Sequence, residues 1–219
     1  IRKDSYSSIE ATALLQSVIS AANIGHTNID FPSELYRNYA YSGGTLFPLE
    51  LLFNDNKALI KKNFSQSTEP RIGDEILSIN GESIDSILSQ ITPLISAENH
   101  YFKLAKIEAA SFPRLYWQVF GKVDQFKLKI RQGDQEREFN IPAIDLIDDF
   151  EMKRNELLHS EMKIEFNKNI AYLNPGSFSG DEQKFKAFID RAFLAINEKN
   201  ISSLILDFRN NAGGDNHFS

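Results

Sequence analysis

Few residues in this chain have the type and spacing to do chemistry. The stretch SLILDFRNNAGGDN, Ser203 to Asn216, runs an apolar strand pattern into two asparagines and two glycines. Glycine adopts backbone angles closed to other residues and lets another chain come close. Gly213 and Gly214 are therefore either a plain turn or a main-chain binding surface. His26, in NIGHTN, is the second candidate. An imidazole titrates near neutral pH and suits a general base. Just past a predicted helix C-terminus its charged form is slightly favoured, though it could equally cap that helix by donating to the last carbonyls. NPGSFSG, Asn174 to Gly180, resembles a nucleophile elbow, but Gly-x-Ser-x-Gly needs serine at the middle position and Phe178 stands there. His100, His159 and His217 lack a carboxylate or second histidine at ligand spacing, so they read as surface residues and no metal is expected. His217 adjoins the glycine turn, where contact with a substrate is the minor alternative.

The bulk of the sequence narrows the classes. Its 219 residues carry a net charge of −6 and no long basic run, which argues against nucleic acid, since phosphate binding needs clustered Lys and Arg. No apolar stretch approaches the roughly 18 residues that span a bilayer. Cysteine is absent, which excludes disulfides, thiol catalysis and thiolate metal sites. The first residue is Ile1, so the chain reads as a piece of a longer protein and a missing export signal carries no meaning.

The elements that must position the candidates are these. Ile9 to Asn23 has Leu14, Leu15, Val18, Ile19 and Ala22 at helical spacing, which predicts an amphipathic helix ended by Gly25. Asn28 to Gly44 reads as loop or short strand, punctuated by Pro32 and Gly43-Gly44. LFPLELLF and KALIKKNF predict two strands joined at Asn54-Asp55-Asn56. A strand over Glu75 to Ile79, a tight turn at Asn80-Gly81 and a short helix follow. Residues 96–121 predict a helical insertion whose aromatics, Tyr101 to Phe120, read as packing with a peptide-binding surface as the minor alternative, and FKLKIRQGDQEREFNIP a hairpin turning at Gly133-Asp134. The acidic run over 144–156 reads as a solvated connector. Last come a hairpin over Met162 to Phe178 and an amphipathic helix bearing Phe185, Phe188, Ile189, Ala192, Phe193 and Ile196. SLILDFR then predicts a strand buried on both faces, completing a βαβ crossover. The class is α+β.

Three stretches carry a resemblance. RIGDEILSINGESIDSIL, Arg71 to Leu88, resembles the Gly-Asp-x-Ile segment of PDZ domains. SLILDFRNNAGGDN resembles a segment of the C-terminal-processing peptidases, or tail-specific proteases, and NIGHTN the Gly-His-Thr segment ahead of their PDZ-like module. The resemblance implies an N-terminal helical segment of the protease core (1–44) and a PDZ-like β-domain (45–145) with a helical insertion (about 96–121). The first part of a crotonase-like α/β protease core (146–219) follows. It implies a serine endopeptidase acting on polypeptides, including C-terminal tails, by acyl transfer. The nucleophilic serine would lie beyond this chain, leaving it inactive alone. His26, or a lysine after the nucleophile, would be the base, and the amide of Gly213 or Gly214 would donate to the oxyanion. Arg209 and Asn210 would hold the turn, and Ser177 and Phe178 would line the substrate channel. No cofactor is implied, and export to a bacterial periplasm or cell envelope is. In GGTLFPLEL, Gly43 to Leu51, where PDZ domains hold a peptide carboxylate, Pro48 departs from the pattern by lacking an amide, so the module reads equally as a structural lid. The alternative is a non-catalytic peptide- or ligand-binding protein on the same scaffold. The oligomeric state is not legible.

Overall fold

The computed structural model describes residues 4–55, 57–154, 161–209, 211 and 213–218. They fall into two compact units, Ile1–Glu151 and Met152–Ser219. The expected turn residue Asn56, and His159 and Asn210, lie outside the described residues.

The first unit opens with α1 (Ser8–Ser20), started by a capping box in which the Ser7 hydroxyl accepts the Glu10 N–H at 3.2 Å and the Glu10 carboxylate accepts the Ser7 N–H at 3.0 Å. Its orientation corrects the sequence reading: Leu14, Leu15 and Val18 are exposed, whereas Gln16 and Ser20 are buried. Polar bonds set that face. The Gln16 amide donates to Ser96 Oγ at 2.9 Å and accepts the Ile29 N–H at 2.6 Å, and the Ser20 hydroxyl donates to the Pro93 carbonyl at 2.6 Å. The helix stops at Ala21, and Asn23, not Gly25, takes the left-handed conformation at φ 54°. A second helix, α2 (Ser33–Tyr41), stands where a loop or strand was expected. Pro32 precedes its first turn rather than breaking structure, and Tyr36 and Ala40, four residues apart, are its buried face.

Strands β1 (Leu49–Asn54), β2 (Lys57–Asn63), β3 (Glu75–Ile79), β4 (Glu82–Ser83), β5 (Gln125–Gln132) and β6 (Gln135–Pro142) form one sheet in the order β1-β2-β3-β5-β6, with β4 paired to β3. Helices α3 (Ile84–Ile91), α4 (His100–Ala110) and α5 (Phe112–Phe120) pack with it. Period two is visible on β5: Phe126, Leu128 and Ile130 are buried with Ile76, Ile79, Ile87 and Phe112, while Lys127 and Lys129 point out to Glu138 and Glu136 at 2.8 and 2.6 Å. Asn80 and Gly81 both take positive φ, 52° and 85°, as a primed two-residue hairpin turn requires. The aromatic run is packing from Phe112 onward, where Phe112 and Tyr116 meet Phe47 with ring centroids 5.3 and 5.9 Å apart, whereas Tyr101 and Phe102 are exposed.

β1 is an outer strand of the sheet, and its Phe53 N–H donates to Glu108 Oε1 of α4 at 2.6 Å. The acidic run is exposed at Asp145, Ile147, Asp148 and Asp149, as a solvated connector would be, but it is anchored at Phe150 and Glu151. Phe150 is fully buried against Phe64, ring centroids 4.6 Å apart, and the buried Glu151 carboxylate meets Arg114 at 3.4 Å. One apolar ring and one buried ion pair hold the segment down despite its charge.

The second unit is a three-stranded sheet. β7 (Lys163–Asn167) and β8 (Ile170–Asn174) form an antiparallel hairpin, and α6 (Glu182–Glu198) crosses over to β9 (Ser203–Leu206), which lies parallel to β8 with Ile170 opposite Ser203 and Leu173 opposite Leu206. Asp181 caps α6 by accepting the Lys184 N–H at 3.0 Å. Phe185 and Ala192 of α6 are buried, but β9 is not buried on both faces as its sequence predicted: Leu204, Ile205 and Leu206 are exposed. Within this unit β9 is an edge strand of a sheet with one long helix to pack on, so the apolar run has no second layer.

Candidate active site

Beyond Leu206 the chain turns under polar control. The Asp207 N–H still donates to the Leu173 carbonyl at 2.9 Å, extending the pairing with β8 by one bond. The Asp207 carboxylate accepts the Arg209 Nε–H at 2.9 Å, an Nη2–H at 2.8 Å and the Arg209 backbone N–H at 3.0 Å. The guanidinium also reaches the Tyr172 hydroxyl at 3.1 Å. Arg209's hydrogen bonds, side chain first and then backbone, hold the Asp207 carboxyl down at about 2. Asn211 then bridges the turn: its amide donates to the Gly176 carbonyl at 2.7 Å and its oxygen accepts the Gly213 N–H at 2.7 Å.

The two glycines meet the NPGSFSG loop directly. The Phe178 N–H donates to the Gly213 carbonyl at 3.2 Å and the Asp215 N–H to the Phe178 carbonyl at 2.8 Å, a parallel bridge between Phe178 and Gly214. Gly214, at φ 144°, has no room for a side chain, because a Cβ would stand 1.9 Å from the Phe178 carbonyl oxygen. The bridge turns its main-chain groups away from Phe178, and its N–H finds no acceptor among the described residues. The amide of Gly213 is occupied by Asn211, so Gly214 presents the available donor.

Four of the expected site residues therefore come together: Ser177, Phe178, Gly213 and Gly214. The Ser177 and Ser179 hydroxyls lie 2.7 Å apart and bond each other, with no histidine on either. The Phe178 ring packs edge-on against Phe185 and Phe208, centroids 5.9 and 6.1 Å away. Behind it opens an apolar pocket of about 490 Å³ whose walls include Phe185, Phe193, Leu206, Phe208 and Phe218, with His217 also lining it. His217 has a carboxylate partner that sequence spacing was read as lacking: its Nδ1 lies 2.7 Å from Asp215 Oδ1. The signal in the sequence is Asp215, two residues upstream. Among the described residues no group of three or more His, Cys, Asp or Glu can hold a metal ion, and no helix is long and apolar enough to cross a membrane.

His26 belongs to the first unit, exposed on the turn after α1. Its ring makes no hydrogen bond among the described residues, so it does not cap that helix. What holds its turn lies far away in sequence. The buried Gly25 donates its N–H to Glu98 Oε1 at 3.0 Å, and its carbonyl accepts from Lys106 Nζ at 2.8 Å. Lys106 also donates to the Ser96 carbonyl at 2.7 Å and lies 4.8 Å from the Phe102 ring centroid. The Glu98 carboxyl is held below its usual range by its own backbone N–H and that of Gly25, with Lys106 and His26 adding attraction. No local pattern marks Glu98 or Lys106, because both act across more than 70 positions.

No protein-family model matches the sequence, and no curated protein does. Solved structures do. Mature CPAF, a chlamydial serine protease, in complex with lactacystin aligns with a TM-score of 0.59 at 16% identity, over 98% of this chain and 48% of its own. A CPAF point mutant gives 0.56 at 14% identity, over 98% and 49%, and mature CPAF alone 0.53 at 16%, over 95% and 47%. The chain spans about half the length of each. At these identities the likeness is one of fold, a mixed α and β architecture shared with about half of CPAF.

Proposed function

We propose that this chain is part of a serine endopeptidase acting on extended polypeptides, with C-terminal tails as the favoured substrates. The observation that carries the proposal is Gly214: a backbone position closed to every side chain, held against Phe178, with its N–H finding no acceptor among the described residues. Such an amide is what an oxyanion needs, and one pre-placed donor contributes roughly 3 kcal/mol of transition-state stabilisation. A serine on polypeptide beyond Ser219 attacks the scissile carbonyl; His26 takes its proton, and the Gly214 N–H meets the oxygen that becomes negative. Ser177 and Phe178 run beside the substrate. The sheet of the first unit serves as a PDZ-like module, supported by the β3–turn–β4–α3 order over the PDZ-resembling segment. The second unit is the start of a crotonase-like core, supported by its βαβ order. Export to a cell envelope fits the same resemblance.

Fluorophosphonate labelling of the full-length protein, with peptide mapping, tests the proposal in wild type and His26→Ala. A labelled serine outside residues 1–219 whose labelling is lost in His26→Ala is the expected result. Labelling that survives the substitution moves the base to another residue. No labelling of folded protein favours the second reading, a non-catalytic ligand-binding protein, for which the apolar pocket of about 490 Å³ is of suitable size.

A further inference from the structure

We propose that Glu98 and Lys106 are positioning residues for His26, fixing its turn by holding the Gly25 main chain through both its N–H and its carbonyl. The inference rests on His26 being the general base. Two side chains of opposite charge, one from the loop before α4 and one from α4 itself, direct their hydrogen bonds to a single residue of the α1–α2 connection. Gly25 explains itself on these terms. Its φ is not in the left-handed range, so conformation does not demand glycine there. The hydrogen bond does: a Cβ would lie 2.7 Å from Glu98 Oε1, so the carboxylate end would have to shift from the place where it accepts the Gly25 N–H.

The clamp is itself braced. Lys106 ties Gly25 to Ser96, whose hydroxyl accepts from Gln16 of α1, so the helix before the turn and the loop behind it share one network. The charged groups facing the His26 turn are the Glu98 carboxylate and the Lys106 ammonium. A shift of about 1 Å in a reacting group can cost about 100-fold in rate, so a turn held at both main-chain groups has kinetic value beyond stability.

The test uses the full-length protein. Glu98→Ala, Lys106→Met and Gly25→Ala should each lower kcat by about 10- to 100-fold, with KM within about twofold and the thermal midpoint little changed. Glu98→Gln, which keeps an acceptor, and Lys106→Arg, which keeps a donor, should restore most of the loss. In a His26→Ala background the same substitutions should lower kcat no further, because they act through a side chain already gone. Unchanged kcat in Glu98→Ala and Lys106→Met, while His26→Ala abolishes activity, would overturn the inference and leave the base assignment standing. Equal losses with and without His26 would also overturn it. Full activity in His26→Ala would instead remove the base assignment on which it rests. Should the alanine variants fail to fold, the Gln and Arg variants decide, since either falling as far as a complete loss of kcat contradicts a role limited to these hydrogen bonds.

Discussion

Arg209 lets the chain leave β9 and turn at once, because its guanidinium and its own amide both land on Asp207. The sign of the resulting pH dependence is fixed. Asp207 titrates at about 2 in the folded chain, below the roughly 3.9 of an unfolded aspartate. Its contribution to stability is present above about pH 4 and lost as pH falls through about 2. Arg209→Gln should therefore move the Asp207 titration, followed by carboxyl NMR, up toward the ordinary range, and its stability deficit at pH 7 should vanish near pH 2. An unmoved titration would show that Arg209 is not what holds the carboxylate. At this scale the sequence was informative about which residues gather, since Ser177, Phe178, Gly213 and Gly214 do meet. It could not say which glycine amide is available, because that depends on Asn211 reaching Gly213 and on the Phe178 bridge. Glu98 and Lys106 were invisible, being neighbours of His26 only in three dimensions.

Elements were legible where period and turn chemistry agree. The β1–β2 and β5–β6 hairpins and the Asn80-Gly81 turn follow from alternation and from residues that tolerate positive φ. The failures have a common cause, a partner distant in sequence. The exposed apolar face of α1 follows from Gln16 and Ser20 bonding residues 93–96, and the acidic run is anchored at Phe150 and Glu151 because Phe64 and Arg114 await them. Strand β1 adds a consequence for peptide capture. PDZ domains accept a peptide as an added strand, but here α4 already satisfies an outer-edge amide of β1 with Glu108. Burial raises the Glu108 carboxyl above its usual range, outweighing the Phe53 N–H and Lys61. A carboxyl raised in the folded state contributes most below its unfolded value, and that contribution is lost as pH rises through its folded one. Glu108→Gln, which keeps an acceptor for Phe53 without the charge, should unfold at higher urea than wild type at pH 7. The advantage should disappear near pH 4; a variant less stable at pH 7 would show that the charge is needed there.

Across the whole molecule, His26 belongs to the first unit and the Gly214 turn to the second. The first unit's core, built on Phe126, Leu128, Ile130 and their neighbours, is a conventional sheet-and-helix interior. The second exposes Leu204, Ile205, Leu206 and Phe208 beside the turn on which the proposed function depends. The central claim, that the Gly214 amide is the oxyanion donor, can be tested without disturbing the packing that excludes a Cβ. Replacing the Gly214 amide by an ester in the full-length protein removes one N–H and adds no atoms to the side chain. The account predicts a fall in kcat of about 100- to 1,000-fold with KM little changed, and a much smaller effect of the same replacement at Gly213, whose N–H serves Asn211. An active Gly214 ester, or a larger loss at Gly213 than at Gly214, would contradict it.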